Sequence, residues 1–175
     1  MGNIVLNGAT SGSTTVQPTD AVTATLTLPS TTGTLALNGP AFGAYQSSGQ
    51  SLASGVFTKI TFDVEEFDTN NNFASSKFTP TVAGYYQINA SFCPGASGSG
   101  TIGSILIYKN GSAYKYGNQT GLNTGNTVYG ASCLIYMNGS TDYLEIYGLQ
   151  ASGGTQTNNG GQSLTWFNGF LARTA

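Results

Sequence analysis

The chain has 175 residues, of which 7% are charged, with five Lys and Arg against seven Asp and Glu and no His. Without an imidazole neither Ser-His-Asp nor Cys-His catalysis can be assembled, and two Cys alone cannot fill a zinc shell. A formal charge of −2 is the wrong sign for a phosphate-binding surface, and no run approaches the ~20 apolar residues of a membrane helix, so neither nucleic acid nor membrane insertion is expected.

The segment Met1 to Asn7 has no basic region and no long apolar run, so no signal peptide is read there. From 22 to 28, Val22, Ala24, Leu26 and Leu28 alternate with Thr23, Thr25 and Thr27, the period of two that marks a half-buried strand. Pro29 to Gly33 breaks the pattern, Thr34 to Leu37 resumes it, and Asn38-Gly39-Pro40 stops it again. Two or three short strands cannot bury their own apolar faces. Residues 1–38 are therefore expected to be pinned by a partner, as a Thr-rich β anchor distinct from a domain spanning 39–175.

Beyond Pro40 the predicted strands are longer and more aromatic. They run from Phe42 to Tyr45, from Val56 to Phe62, and along the segment in which Tyr86, Ile88, Ala90 and Phe92 share a face. Ile102 to Tyr108 and Val128 to Met137 read as strands covered on both faces. Tyr143 to Leu149 and Leu164 to Leu171 complete the set. Asn110-Gly111 marks a hairpin, and Asn138-Gly139 ends a strand. Val64 to Phe67 is the one stretch compatible with a helical turn. Segments 96–100, 115–127 and 151–162 read as polar loops, where binding often resides. Many short strands with turn signals between them indicate an all-β sandwich. Cys93 and Cys133 are read as two small buried hydrophobes rather than a disulfide.

Four ordered stretches carry a family likeness across 41–173. They are Ala41-Phe42-Gly43-Ala44-Tyr45, the run Phe57 to Asp63 with Phe67 to Phe73, Phe78-Thr79-Pro80-Thr81-Val82-Ala83-Gly84-Tyr85-Tyr86-Gln87-Ile88, and Trp166-Phe167-Asn168-Gly169-Phe170-Leu171. Together they resemble the C1q-like globular domain of the complement and tumour-necrosis-factor superfamily. The resemblance implies an antiparallel, ten-stranded jelly-roll sandwich assembled as a homotrimer, with aromatic side chains along the threefold axis. Candidates for that interface are Tyr86, Phe92, Tyr108, Tyr136 and Trp166. The runs Gly8 to Pro18 and Thr25 to Leu35 resemble Thr-rich β segments of bacteriophage structural proteins. No Gly-X-Y period is present to form a collagen stalk.

Within that frame Pro80 must sit where no backbone N–H is needed. Gly84 is expected in a turn conformation that other residues resist, and Gly169 at a close backbone approach. Asp63, Glu65, Glu66 and Asp68 hold four of the seven acids, but nothing marks a raised carboxyl pKa and catalysis is not expected. Asp68 to Asn72 mimics the start of a calcium loop, yet Phe73 and Thr79 stand where Gly and Glu are required, so an Asn-rich turn is expected and no metal or cofactor.

The expected function is a non-enzymatic bacteriophage virion protein, assembled in the host cytoplasm. It would be a trimeric capsid decoration or head fibre attached to the capsid or another virion protein through 1–38. The alternative is a tail-fibre tip or receptor-binding protein that recognises host surface polysaccharide. Tyr114, Tyr116, Asn118 and Asn123 are its candidate contacts, since rings and amides suit sugars.

Overall fold

The computed structural model describes residues 4–7, 13–16, 39–95, 101–122 and 126–175. In chain order the strands are β1 (Ile4–Asn7), β2 (Ser13–Val16), β3 (Ala41–Tyr45), β4 (Ser51–Leu52), β5 (Thr58–Lys59), β6 (Val64–Asp68), β7 (Phe73–Ala74) and β8 (Lys77–Phe78). They continue with β9 (Gly84–Phe92), β10 (Thr101–Lys109), β11 (Ser112–Leu122), β12 (Tyr129–Met137), β13 (Leu144–Gln150), β14 (Gln156–Thr157) and β15 (Trp166–Thr174). Among the described residues no helix is long and apolar enough to cross a membrane.

The chain divides into two compact units, Met1–Leu35 and Ala36–Ala175. In the first, β1 and β2 pair antiparallel with Ile4 opposite Val16. The strands expected at 22–28 and 34–37 lie outside the described residues, as do the loop at 96–100 and Asn123.

The second unit is a sandwich of two facing antiparallel sheets. One sheet runs β11-β10-β13-β8-β7 with β5 also on β13, and the facing sheet runs β12-β9-β15-β3-β6. Alternation explains the layers. Tyr86, Ile88, Ala90 and Phe92 of β9, Phe42 and Ala44 of β3 and Phe167 of β15 point inward, to meet Ile105, Ile107, Leu144 and Ile146 of the other sheet. The Phe42 ring stacks on Phe78 at 4.2 Å and on Phe73 at 5.2 Å and meets Phe167 edge-on at 4.7 Å. Each such pair contributes roughly 0.5–1.5 kcal/mol beyond burial of its area.

The sandwich closes along one side because β11 leans onto β12. Gly117 makes this possible: a Cβ there would stand 2.4 Å from the Gly130 carbonyl oxygen. Gly130 N–H donates to Asn118 Oδ1 at 2.6 Å, and the Tyr129 hydroxyl donates to the Thr120 carbonyl at 3.1 Å. The hairpin joining β10 to β11 turns at Asn110 and Gly111, whose φ values of 54° and 77° are those of the turn that an Asn-Gly pair favours.

Several segments differ from their sequence reading. Val64 to Phe67 belongs to strand β6, paired with β3, because the ladder next to Ala41–Tyr45 outweighs the weak helical preference of so short a run. Segment 115–127 is mostly strand β11, since a polar edge strand needs only one apolar neighbour. Segment 151–162 contains β14, clamped to β4, and Asn158 beside it is buried, its amide bonded to Gln46 Oε1 at 2.5 Å. Val128–Met137, read as covered on both faces, is an edge strand with Leu134 and Tyr136 outward and exposed. Gly84 starts β9 without a positive φ. Its constraint is space, for a Cβ would come within 2.4 Å of the Arg173 carbonyl oxygen. Gly169 is also a close approach, with Ile88 Cδ1 2.6 Å from a notional Cβ. Pro80 lies just beyond β8, outside the ladder. Both cysteines are free, Cys93 buried and Cys133 half-buried.

Candidate functional site

The distinguishing surface is the outward face of the five-stranded sheet. Because even-numbered positions of β9 face the core, Tyr85, Gln87 and Asn89 face out. Register puts Tyr85 beside Tyr136 of β12, Gln87 between Leu134 and Phe170, and Asn89 between Ser132 and Asn168. Phe67 of edge strand β6 lies over Gly43, where a Cβ would meet its ring at 2.7 Å. Phe67, Tyr85, Leu134, Tyr136 and Phe170 each leave 42–55% of their surface to solvent. Tyr85 and Tyr136 pack ring to ring at 5.5 Å.

A polar ladder crosses the middle of this face. Ser132 Oγ donates to Asn89 Oδ1 at 2.8 Å, Asn89 Nδ2 to Asn168 Oδ1 at 3.2 Å, and Gln87 Nε2 to Ser132 Oγ at 2.9 Å. Three shallow hollows open on the same side. One of about 480 Å³ is bordered by Tyr85, Leu134 and Arg173, one of about 390 Å³ by Ser132 and Trp166, and one of about 330 Å³ by Phe67, Asn168 and Phe170. Shallow hollows among projecting rings form a relief that another protein surface can interlock with.

The residues expected at a trimer interface are divided by the structure. Tyr136 and Trp166 lie on this outward face. Tyr86 and Phe92 do not: both are 0% exposed in the core of the protomer, because their alternation phase points them at the facing sheet. Tyr108 is on the other sheet, stacked on Tyr147 at 3.8 Å. Phe67, Tyr85, Leu134 and Phe170 share this outward face and are not among those candidates. The signal for Tyr85 was present, since assigning Tyr86 to the core puts its neighbour outside.

The candidate sugar contacts are also separated. A bulge between Ile107 and Tyr108 leaves Tyr114 as the extra residue of β11, with Lys109 and Lys115 over its ring at 5.9 and 5.4 Å. Tyr116 is registered with Leu106 and meets Phe57 edge-on at 6.1 Å. Asn118 is committed to the β12 seam through Gly130.

The acidic cluster offers no acid–base pair. Asp63 accepts the Ser47 hydroxyl and, at 2.7 Å, the Ser47 N–H, and these bonds hold its carboxyl below the ordinary value. Asp68 accepts from the N–H groups of Asn70 and Phe73, which makes the Asn-rich stretch a capped turn. Glu66 accepts from the Gln162 amide. Among the described residues no group of three His, Cys, Asp or Glu side chains is placed to hold a metal ion.

Comparison with known proteins identifies the architecture. The globular domain of zebrafish complement 1qA protein superposes with a TM-score of 0.55 at 17% identity, covering 79% of this chain and 100% of that one. The Eiger TNF of S. frugiperda gives 0.55 at 8% identity, covering 78% and 92%. PRD1 vertex protein P5 gives 0.55 at 15% identity, covering 77% and 97%. No family model and no curated protein matches the sequence. The likeness is one of fold: a C1q/TNF-like jelly roll, the class shared by complement and TNF-type domains and a phage vertex protein.

Proposed function

We propose that this chain is a bacteriophage virion structural protein without enzymatic activity. Its jelly-roll unit assembles as a homotrimer through the outward face of the β12-β9-β15-β3-β6 sheet. Residues 1–38 anchor it to the capsid or another virion protein, so that it serves as a capsid decoration or head fibre. The observation that carries this reading is the cluster of five half-exposed apolar side chains on one sheet face. Single exposed hydrophobics are ordinary, but a contiguous set around a satisfied polar ladder marks a protein contact. The likeness to PRD1 vertex protein P5 supports the virion setting. A tail-fibre tip that recognises host polysaccharide is the second reading, and the exposed ring of Tyr116 is the observation behind it.

Native mass spectrometry of the purified chain tests the assembly, with a species of about three times 18.0 kDa expected. A monomer at micromolar concentration would overturn it. Electron cryo-microscopy of particles separates the two locations, since decoration requires many copies at symmetric capsid positions and the alternative requires copies at the tail.

A further inference from the structure

The sheet on the other side of the sandwich has its own outward layer. Ile105 and Ile107 of β10 face the core, so Ser104, Leu106 and Tyr108 face out. Leu106 stands in register between Tyr116 of β11 and Tyr147 of β13 and is only 1% exposed despite its outward direction. Rings cover it. Phe57, which precedes β5 beyond β13, reaches across to Tyr116, and Tyr108 lies parallel to Tyr147 with an interplanar angle of 20°. The result is a shelf of two aromatic pairs on the outward face either side of Leu106. Packing alone does not account for Tyr116, which keeps 66% of its surface in solvent, more than any other large hydrophobic side chain among the described residues.

The border of the shelf is polar but carries no unpaired charge. Lys59, registered opposite Tyr147, donates to Glu145 Oε1 at 2.7 Å and to the Ser75 carbonyl at 3.0 Å. Lys115 pairs with Ile107, on the opposite side of the strand, and lies over Tyr114. Ser104, two residues before Leu106 on the same face, holds the one buried side-chain oxygen without a hydrogen-bond partner among the described residues. Such an orphan in a native fold calls for an explanation.

We propose that this shelf is a binding site for a neutral saccharide, with a pyranose ring stacked on the exposed Tyr116 against the edge-on ring of Phe57 and its hydroxyls turned to the polar border. The chemistry selects the ligand. A sugar ring presents an apolar C–H face to stack and a rim of hydroxyls that both donate and accept, which a bound ion pair and phenols satisfy together. An anionic ligand would find its cation already neutralised, and a nucleic acid would find no basic track. The inference rests on the second reading above, which also turns on Tyr116, and it needs the proposed assembly only for access, since the shelf occupies the sheet opposite the trimer contact.

The test is saturation-transfer NMR and titration calorimetry of the full chain with soluble glucose, galactose and N-acetylglucosamine oligomers, beside native mass spectrometry of each variant. Binding to at least one neutral oligomer is expected, weakened about tenfold or more by Tyr116→Ala, a loss of about 1.4 kcal/mol. Tyr116→Phe should retain most of it and Tyr114→Ala should leave it unchanged. No binding to any of the oligomers, or equal losses in Tyr116→Ala and Tyr114→Ala, would overturn the site. A change of oligomeric mass in Tyr116→Ala would also overturn it, by making the shelf a contact between copies. A monomeric wild type that still binds sugar would refute the assembly and leave the saccharide site standing.

Discussion

The hydroxyl of Tyr129 donates to the carbonyl of Thr120 across 3.1 Å, and that bond ties the edge strand of one sheet to the edge strand of the other. Burial holds the Tyr129 phenol above its ordinary pKa, with the backbone bond at Gly103 working the other way. Removing the hydroxyl with Tyr129→Phe should cost about 0.5–1.5 kcal/mol, as for a typical hydrogen bond. Chemical denaturation with an unchanged m-value checks it. Gly103→Ala, whose new Cβ would stand 2.5 Å from the same ring, should cost more, about 1–3 kcal/mol through overpacking.

Phe42 touches three other rings and is fully buried. Phe42→Ala should destabilise the unit by about 3–5 kcal/mol. Phe42→Leu should cost clearly less, since much of the volume is kept. Thermal unfolding of both variants beside the wild type measures the difference.

Asp142 lies where the β10–β11 and β12–β13 connections meet. Burial pushes its carboxyl up, but bonds from Asn110 at 2.8 Å, from Lys109 at 2.9 Å and from Asn138 N–H at 3.0 Å outweigh it, and its pKa falls below the ordinary 3.8. A carboxyl lowered by folding stabilises the native state above its unfolded value and loses that contribution as pH drops through the native one. Stability should therefore fall as pH is taken below 3.8, and Asp142→Asn should be less stable at neutral pH with a shallower acid limb. Melting curves from pH 7 to pH 2 check both signs.

Tyr86 supplies the alkaline counterpart. Burial pushes its phenol up to about 12, and its hydroxyl donates to the Val82 carbonyl at 2.8 Å. A group that folding keeps protonated contributes fully below its ordinary value of 10.0 and loses the contribution as pH climbs toward 12. Tyr86→Phe should lower stability at pH 8 and flatten its decline between pH 10 and pH 12. Denaturant titrations at those values measure it.

On the five-stranded sheet, Leu134→Asp puts a charge among half-exposed apolar neighbours without touching the core. The expected result is a shift of native mass from trimer to monomer with an unchanged circular dichroism spectrum. Lys59→Ala, on the other sheet, should leave the mass unaltered. A trimeric Leu134→Asp would show that this face does not join the copies.

Much of the fold was legible because alternation is a local signal. Tyr86, Ile88, Ala90 and Phe92 share a face in any strand, and Asn110-Gly111 turns a hairpin whatever surrounds it. What stayed hidden depends on which strands become neighbours. Val64 to Phe67 is a strand only because β3 lies beside it, and β11 reads as a polar loop because its apolar support comes from β10 and β12. Two of the trimer-interface candidates, Tyr86 and Phe92, turn into the core for a related reason. Aromatic type identified candidates, but alternation phase decides which side they take: Tyr85 faces solvent and Tyr86 the core. Tyr114 and Tyr116, two apart, would share a face in a regular strand. The bulge that gives them different partners is a property of the β10–β11 register, which neither residue encodes by itself.

In the five-stranded sheet β15 lies between β9 and β3. Of the described strands it is the last to leave the ribosome, yet it occupies the middle. A nascent chain can therefore form β9 with β12 and β3 with β6, but no backbone ladder joins the two halves until translation reaches Thr174. Products cut short before Trp166 would lack both the joining strand and Phe170, and would be excluded from any assembly that uses this sheet.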